Sequence, residues 1–200
     1  MTRPALPMAD LVRAAGHAPQ ADGEAITWSV AAGRRGRRWR EGLVRHGAVA
    51  RTLVLETDPA GRTSRLEVAT SAGLLTLHPE PDESALHGNV VTPAGIVHLA
   101  LGWSPRHLLL VEGSSIGFAA LAWGLRARCR GGDGPVALAA VVVDEHLEPR
   151  PATLWVARPD ETWWSVHAGD PGPETTIRIG SDGLPVLEDG AVWPLEVEPG

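Results

Sequence analysis

The sequence predicts a mostly β protein: a single curved antiparallel spiral β-roll or partial barrel with at most one or two short helices. Three observations carry the prediction. Short segments rich in aliphatic and β-branched residues recur along the chain. Turn-forming clusters such as Asp58-Pro59-Ala60-Gly61, Thr92-Pro93-Ala94-Gly95 and Ser181-Asp182-Gly183 separate them at short spacing. Only residues 115–126 read as a helix in the middle of the chain.

Residues 1–24 read as a flexible lead-in with one short helix over Met8 to Ala15, and residues 25–200 as a single β-roll domain. Strands are expected at Ile26 to Val30, Arg37 to Val44 and Val49 to Thr57. Thr63 to Thr70, "TSRLEVAT", alternates apolar and polar residues with period two, which buries one face. Leu74 to His78 follows. Leu86 to Val91 and Ile96 to Trp103 then form a hairpin that turns at Thr92 to Gly95, where Pro93 presets φ and Gly95 tolerates positive φ. In the second of these strands Val97, Leu99, Leu101 and Trp103 share one face, expected in the core, and Ile96, His98, Ala100 and Gly102 the other. "RHLLLVE" comes next. Val136 to Asp144 is apolar throughout, as a strand buried on both faces would be. Thr153 to Arg158, Thr162 to His167, Thr175 to Ile179, Leu184 to Leu187 and Val192 to Val197 complete the set.

Composition narrows the function. The net charge is -6, which disfavours nucleic acid as a partner. All 18 basic residues are Arg. The chain has eight Trp, one Phe and no Tyr, so Trp is nearly its only aromatic anchor. The single Cys129 excludes an intrachain disulfide and Cys-based zinc sites. No apolar run reaches the length of a membrane span, and no secretory signal is visible, so a soluble cytoplasmic protein is expected.

Gly113-Ser114-Ser115-Ile116-Gly117 matches the G-x-S-x-G nucleophile elbow. "HLLLVE" before it and "IGFAALAWGL" after it supply strand and helix, Asp144 and then His146 or His167 supply the triad order, and His87-Gly88 lies where an oxyanion loop is sought. This makes a small serine esterase of the α/β-hydrolase type the alternative reading. Against it stands the turn-rich segment Val49 to Trp103, because parallel strands need long crossovers.

Three stretches carry a family resemblance: "RRWREGLVRHGAVARTLVLETDPAGRTSRLEVAT", "HLALGWSP", and the C-terminal run from "VALAAVVVDEHLEPRPATLWVARPDETWWSVHA" to "TTIRIGSDGLPVLEDGAVWPLEV". Their order of strands and turns resembles a bacterial family of cytosolic spiral β-roll proteins named for glycolipid binding. The chain departs from that pattern in "RHLLLVEGSS" after the Trp-Ser-Pro turn, and in having Trp163, Trp164 and Trp193 where such proteins carry Tyr. The resemblance implies non-enzymatic binding of a glycolipid and supplies no catalytic residues.

Candidate binding residues follow from side-chain chemistry. Trp39, Arg40 and Glu41 combine an aromatic platform with groups that bond sugar hydroxyls; the competing reading is a core Trp beside a surface ion pair. Arg62 and Arg65 follow an acidic turn; Arg65 shares strand parity with Glu67, as an exposed pair would, and the competing reading is anion binding. His87, Asn89 and His98 fall on one hairpin face and would form a polar pocket rim or a plain surface cluster; they are too few for a metal site. Trp103 and Trp164 complete the candidate set. Trp163 and Trp164 are adjacent in a strand, so one points to the core and one away from it. "RRGRRWR", Arg34 to Arg40, reads as a charged edge or an anion patch. The expectation is a non-enzymatic protein without cofactor or metal. It would hold an amphipathic small molecule or glycolipid in a groove on the curved sheet, or form a homodimer through that face as a ligand-free interaction module.

Overall fold

The computed structural model describes residues 13–20, 23–126, 128–169, 174–180, 183–186 and 191–194. Eight successive strands run as antiparallel hairpins: β1 (Arg13–Pro19), β2 (Ala25–Gly33), β3 (Gly36–Arg45), β4 (Ala48–Thr57), β5 (Thr63–Thr70), β6 (Gly73–Pro79), β7 (Ala85–Thr92) and β8 (Gly95–Gly102). The chain continues through β9 (Leu108–Val111), helix α1 (Ser115–Leu125), β10 (Asp133–Val143), β11 (Pro149–Arg158), β12 (Trp163–Ala168), β13 (Glu174–Arg178) and β14 (Ala191–Pro194). β14 returns to pair with β1, giving a sheet ordered β14-β1-β2-β3-β4-β5-β6-β7-β8. It curves into a half-barrel. The protein is thus mostly β, with one short helix among the described residues.

Turn chemistry sets these hairpins. The β3–β4 turn places His46 and Gly47 at φ 51 and 78, the geometry of a two-residue type I′ turn. Between β4 and β5, Asp58 Oδ1 accepts the Ala60 and Arg62 amides, both at 2.9 Å, and Gly61 takes φ 83. β7 and β8 pair from Ala85↔Gly102 to Thr92↔Gly95, as the hairpin reading of Leu86 to Trp103 requires.

Period-two alternation divides the large sheet into two faces. Trp28, Val30, Trp39, Leu53, Leu55, Leu66, Val68, Leu75, Leu77 and Leu86 face inward and are buried. Arg38, Glu56, Arg65 and Glu67 face outward in the ion pairs Arg38–Glu56 and Arg65–Glu67. Of the face expected in the core, Leu99 and Leu101 pack against it and Trp103 is buried. Val97 departs from that expectation: it is 57% exposed, near the turn end of β8, which is the edge strand of the sheet.

A second sheet, ordered β13-β12-β11-β10-β9, has one parallel pair, β9 with β10. α1 is the crossover that a parallel pair needs. No charged residue lies within "SIGFAALAWGL", and Ile116 to Ala122 with Leu125 are buried. A helix apolar all round belongs inside a protein. α1 packs against β3, β4 and β9, and approaches the β4–β5 turn through two glycines. A Cβ on Gly124 would lie 2.6 Å from the Gly61 carbonyl oxygen. Of β10, Ala140 to Val143 are buried on both faces, whereas Val136 is 40% exposed.

Two expectations are corrected. The helix over Met8 to Ala15 fails in its described part, since Arg13 to Ala15 begin β1; the remainder lies outside the described residues. "RAAGHAP" has no β-branched residue, but its partners on both edges make it a strand. Gly16 fits there because a Cβ would meet the Trp28 ring at 2.4 Å. The inner face of the curved sheet is also not one continuous groove: where α1 packs on β3 and β4, apolar side chains fill it, and beside α1 the inward-facing Leu55 and Thr57 border a cavity. Leu187 and Leu195 to Val197, expected in strands, lie outside the described residues.

Candidate functional site

The turn from β9 into α1 is held from the large sheet. Ser114 is the N-cap, and its Oγ accepts the Gly117 amide at 2.8 Å. Glu41 of β3 reaches the same place. Its Oε2 accepts Ser114 Oγ–H at 3.1 Å and the Ile116 amide at 3.0 Å, and its Oε1 accepts Arg51 Nη2 at 2.7 Å. Arg51 of β4 also donates to the carbonyls of Glu112 (2.8 Å) and Gly113 (2.6 Å). The Glu41 side chain is fully buried. A carboxylate at a helix N-terminus is favoured by the exposed amides and the helix dipole. One buried ion pair therefore fixes where the helix begins.

Next to this turn lies a cavity of about 870 Å³. Leu110 and Val111 of β9, Phe118 of α1, Val166 of β12 and Ile177 of β13 give it apolar walls. Ser115, Glu112, Arg150, Thr176 and Arg178 add polar groups, with Arg150 paired to Glu112. Trp163 also lines it and is 40% exposed. Asp160 fixes that Trp: its Oδ1 accepts the Thr162 and Trp163 amides at 2.7 and 2.8 Å. The Thr162 amide first, and then that of Trp163, hold the Asp160 carboxyl below its ordinary value.

The residues expected to bind ligand fall elsewhere. Trp39 and Glu41 are not a sugar platform. Both point into the core, Trp39 with its Nε1 donating to Thr57 Oγ1 at 3.3 Å, while Arg40 points out on the opposite face. Trp164 is the core member of its pair, 2% exposed and 5.1 Å from the Arg158 guanidinium, and Trp163 is the one that faces the cavity. Trp103 is buried and stacks on His107 at 5.5 Å. Asn89 and His98 do meet, at 2.6 Å, but on the outer face, and His87 pairs with Glu80 at 3.3 Å. None of these lines the cavity, and of the two readings of the hairpin trio the observed placement is that of a cluster on the outer face. Arg62 bonds Asp58 at 2.7 Å, which raises its pKa, and borders a separate cavity of about 460 Å³. Arg65 and Glu67 form the expected exposed pair.

The elbow motif does sit between a strand and a helix, and Ser115 lines the larger cavity. Its partners are otherwise engaged. Asp144 Oδ1 accepts the His146 and Glu148 amides in the β10–β11 turn, and His167 Nδ1 lies 3.0 Å from the Gly169 carbonyl. Among the described residues no hydrogen bond joins Ser115 to Asp144, His146 or His167. The left-handed residue of the turn is Gly113 (φ 64), and Ser115 is already helical. Gly88 is packed under the Thr76 carbonyl. Among the described residues no cluster of three or more His, Cys, Asp or Glu is placed for a metal, and no helix is long and apolar enough to cross a membrane.

Sequence reasoning missed Leu110, Phe118, Val166, Ile177 and Arg178. They come from four separate elements and share no local pattern. Trp163 carried a signal through its adjacency to Trp164, and Ser115 through the G-x-S-x-G pattern.

No family model matches the chain, and no curated protein matches it. Among solved structures it is similar to the crystal structure of a DUF1089 family protein from Pseudomonas aeruginosa, at 14% identity and a TM-score of 0.51, over 92% of this chain and 94% of that one. At this identity the likeness concerns the fold alone.

Proposed function

We propose that the protein binds an amphipathic small molecule, of the glycolipid class that the sequence resemblance implies, in the 870 Å³ cavity beside α1 and without chemical turnover. The observation that supports this is the pairing of apolar walls with a polar rim in one cavity of small-molecule size. Phe118, Val166 and Ile177 offer surface for an acyl chain. Ser115, Thr176, Arg178 and the Glu112–Arg150 pair offer donors and acceptors for a hydroxyl-rich head, and the Trp163 indole offers a face for a sugar ring.

Native mass spectrometry of the purified chain, followed by exposure to octyl glucoside, tests this reading. A co-purifying amphiphile, or saturable uptake that Trp163→Ala weakens by about tenfold, is the expected result. An empty protein that takes up no octyl glucoside sinks the proposal. A ligand-free dimer that covers Trp163 replaces it with an interaction module. Labelling by a fluorophosphonate that disappears in Ser115→Ala replaces it with a hydrolase.

A further inference from the structure

The second cavity differs in kind from the first. It lies between the β4–β5 turn, the loop from Trp103 to His107, and the last turns of α1. Its volume of about 460 Å³ is within the range of small-molecule sites. Leu55, Leu109 and Leu121 provide an apolar floor, and Arg62, Arg106 and Arg128 border it. Among the described residues no Asp or Glu lines it. Asp58 and Glu83 neutralise Arg62 from outside. Arg106 and Arg128 form no ion pair among the described residues. In a chain of net charge -6, this is a local concentration of uncompensated positive charge.

Two further features prepare the place for an anion. The carbonyl end of α1 would repel one, but two of its last carbonyls are already engaged. The Leu125 carbonyl accepts the Arg128 and Cys129 amides at 2.7 and 2.9 Å, and the Trp123 carbonyl accepts the Arg126 guanidinium. His107 is held as a fixed wall, with Nδ1 3.0 Å from Ser104 Oγ and its ring on Trp103.

We propose that this cavity is a second ligand site, selective for a small phosphate monoester whose apolar body rests on Leu55, Leu109 and Leu121 and whose phosphate is held by Arg106 and Arg128. Guanidinium forks match phosphate oxygens in pairs, and a dianion balances two of them. The apolar floor distinguishes such a ligand from free phosphate.

Titration calorimetry of the full chain with phenyl phosphate tests this. Saturable one-to-one binding is expected, with inorganic phosphate weaker by about tenfold or more because it leaves the floor uncovered. Arg106→Gln and Arg128→Gln should each weaken phenyl phosphate about tenfold, and the double variant should abolish binding. Arg38→Gln, which removes one outward cation of the large sheet, should leave it unchanged. All three variants change exposed side chains, so matching circular dichroism spectra verify the fold. Flotation with phosphatidic-acid vesicles that the double variant loses assigns the phosphate to a lipid surface, and phenyl phosphate binding without flotation assigns it to a soluble ester. Absence of saturable binding at millimolar phenyl phosphate overturns the proposal. So does an unchanged affinity in the double variant, or inorganic phosphate binding as tightly as the ester.

Discussion

Strand β3 carries Arg38 and Arg40 on one face of the large sheet, and Arg37, Trp39 and Glu41 on the other. Outside, Arg38 pairs with Glu56 across to β4, with side-chain exposures of 53% and 28%. Inside, Glu41 pairs with Arg51 of the same neighbouring strand, at 0% and 10%. The residue types and the strand pair are the same; the two pairs differ in parity and in register, Arg38 lying directly opposite Glu56 and Glu41 diagonally across from Arg51. Water screens the outer pair, so it contributes little. The inner pair is desolvated, and each charge depends on the other and on the β9–α1 turn that both bind. Arg37 repeats the lesson: it is buried, and its guanidinium lies 3.3 Å from the Trp123 ring centroid. Arginine on an outward position of this sheet is solvation, and on an inward position it is architecture.

The largest effect expected from this comparison is at Glu41. Glu41→Ala leaves Arg51 buried without its carboxylate and removes an acceptor from Ser114 and Ile116, and should cost about 3–5 kcal/mol in urea unfolding. A loss under about 1 kcal/mol would mean that the inner pair is no more than a surface pair.

Next comes the helix cap. Ser114→Ala should cost about 1 kcal/mol, because Ser114 Oγ both accepts the Gly117 amide and donates to Glu41. Ser115→Ala, one position on, should leave the unfolding midpoint unchanged. Equal losses at the two positions would contradict the assignment of Ser114 as the cap.

The smallest effect belongs outside. Arg38→Ala should change stability by less than about 1 kcal/mol, and the difference should vanish in high salt. A cost comparable to that of Glu41→Ala would erase the distinction between the faces.

The comparison also marks what was legible beforehand. Thr63 to Thr70 alternates with period two, and β5 buries Leu66 and Val68 as that pattern requires. The β7–β8 hairpin was readable from Thr92-Pro93-Ala94-Gly95, because turn preferences reside in the few residues that make the turn. Trp39-Arg40-Glu41 was legible as alternation but not as chemistry. A carboxylate on an apolar face invites a ligand until a helix N-terminus and an arginine from the next strand are seen beside it. β1 was illegible, since small residues with no β-branching gain their strand only from Trp28 packing over Gly16 and from β14 closing the edge.

Trp163 and Trp164 show the division at its narrowest. Strand geometry made it certain from sequence that they point apart. Which one enters the core depended on how β12 is placed between β11 and β13, and that buried Trp164. By itself, then, the sequence determined the β class, the hairpins, the central apolar helix and the pairing of side chains by face. Only the tertiary structure decided that α1 fills the curved sheet, that Glu41 and Arg51 anchor it, and that β9, α1, β12 and β13 enclose a cavity. Turns and alternation are encoded in neighbours a few residues apart. A cavity is enclosed by elements whose meeting depends on long-range packing, and no local pattern records it.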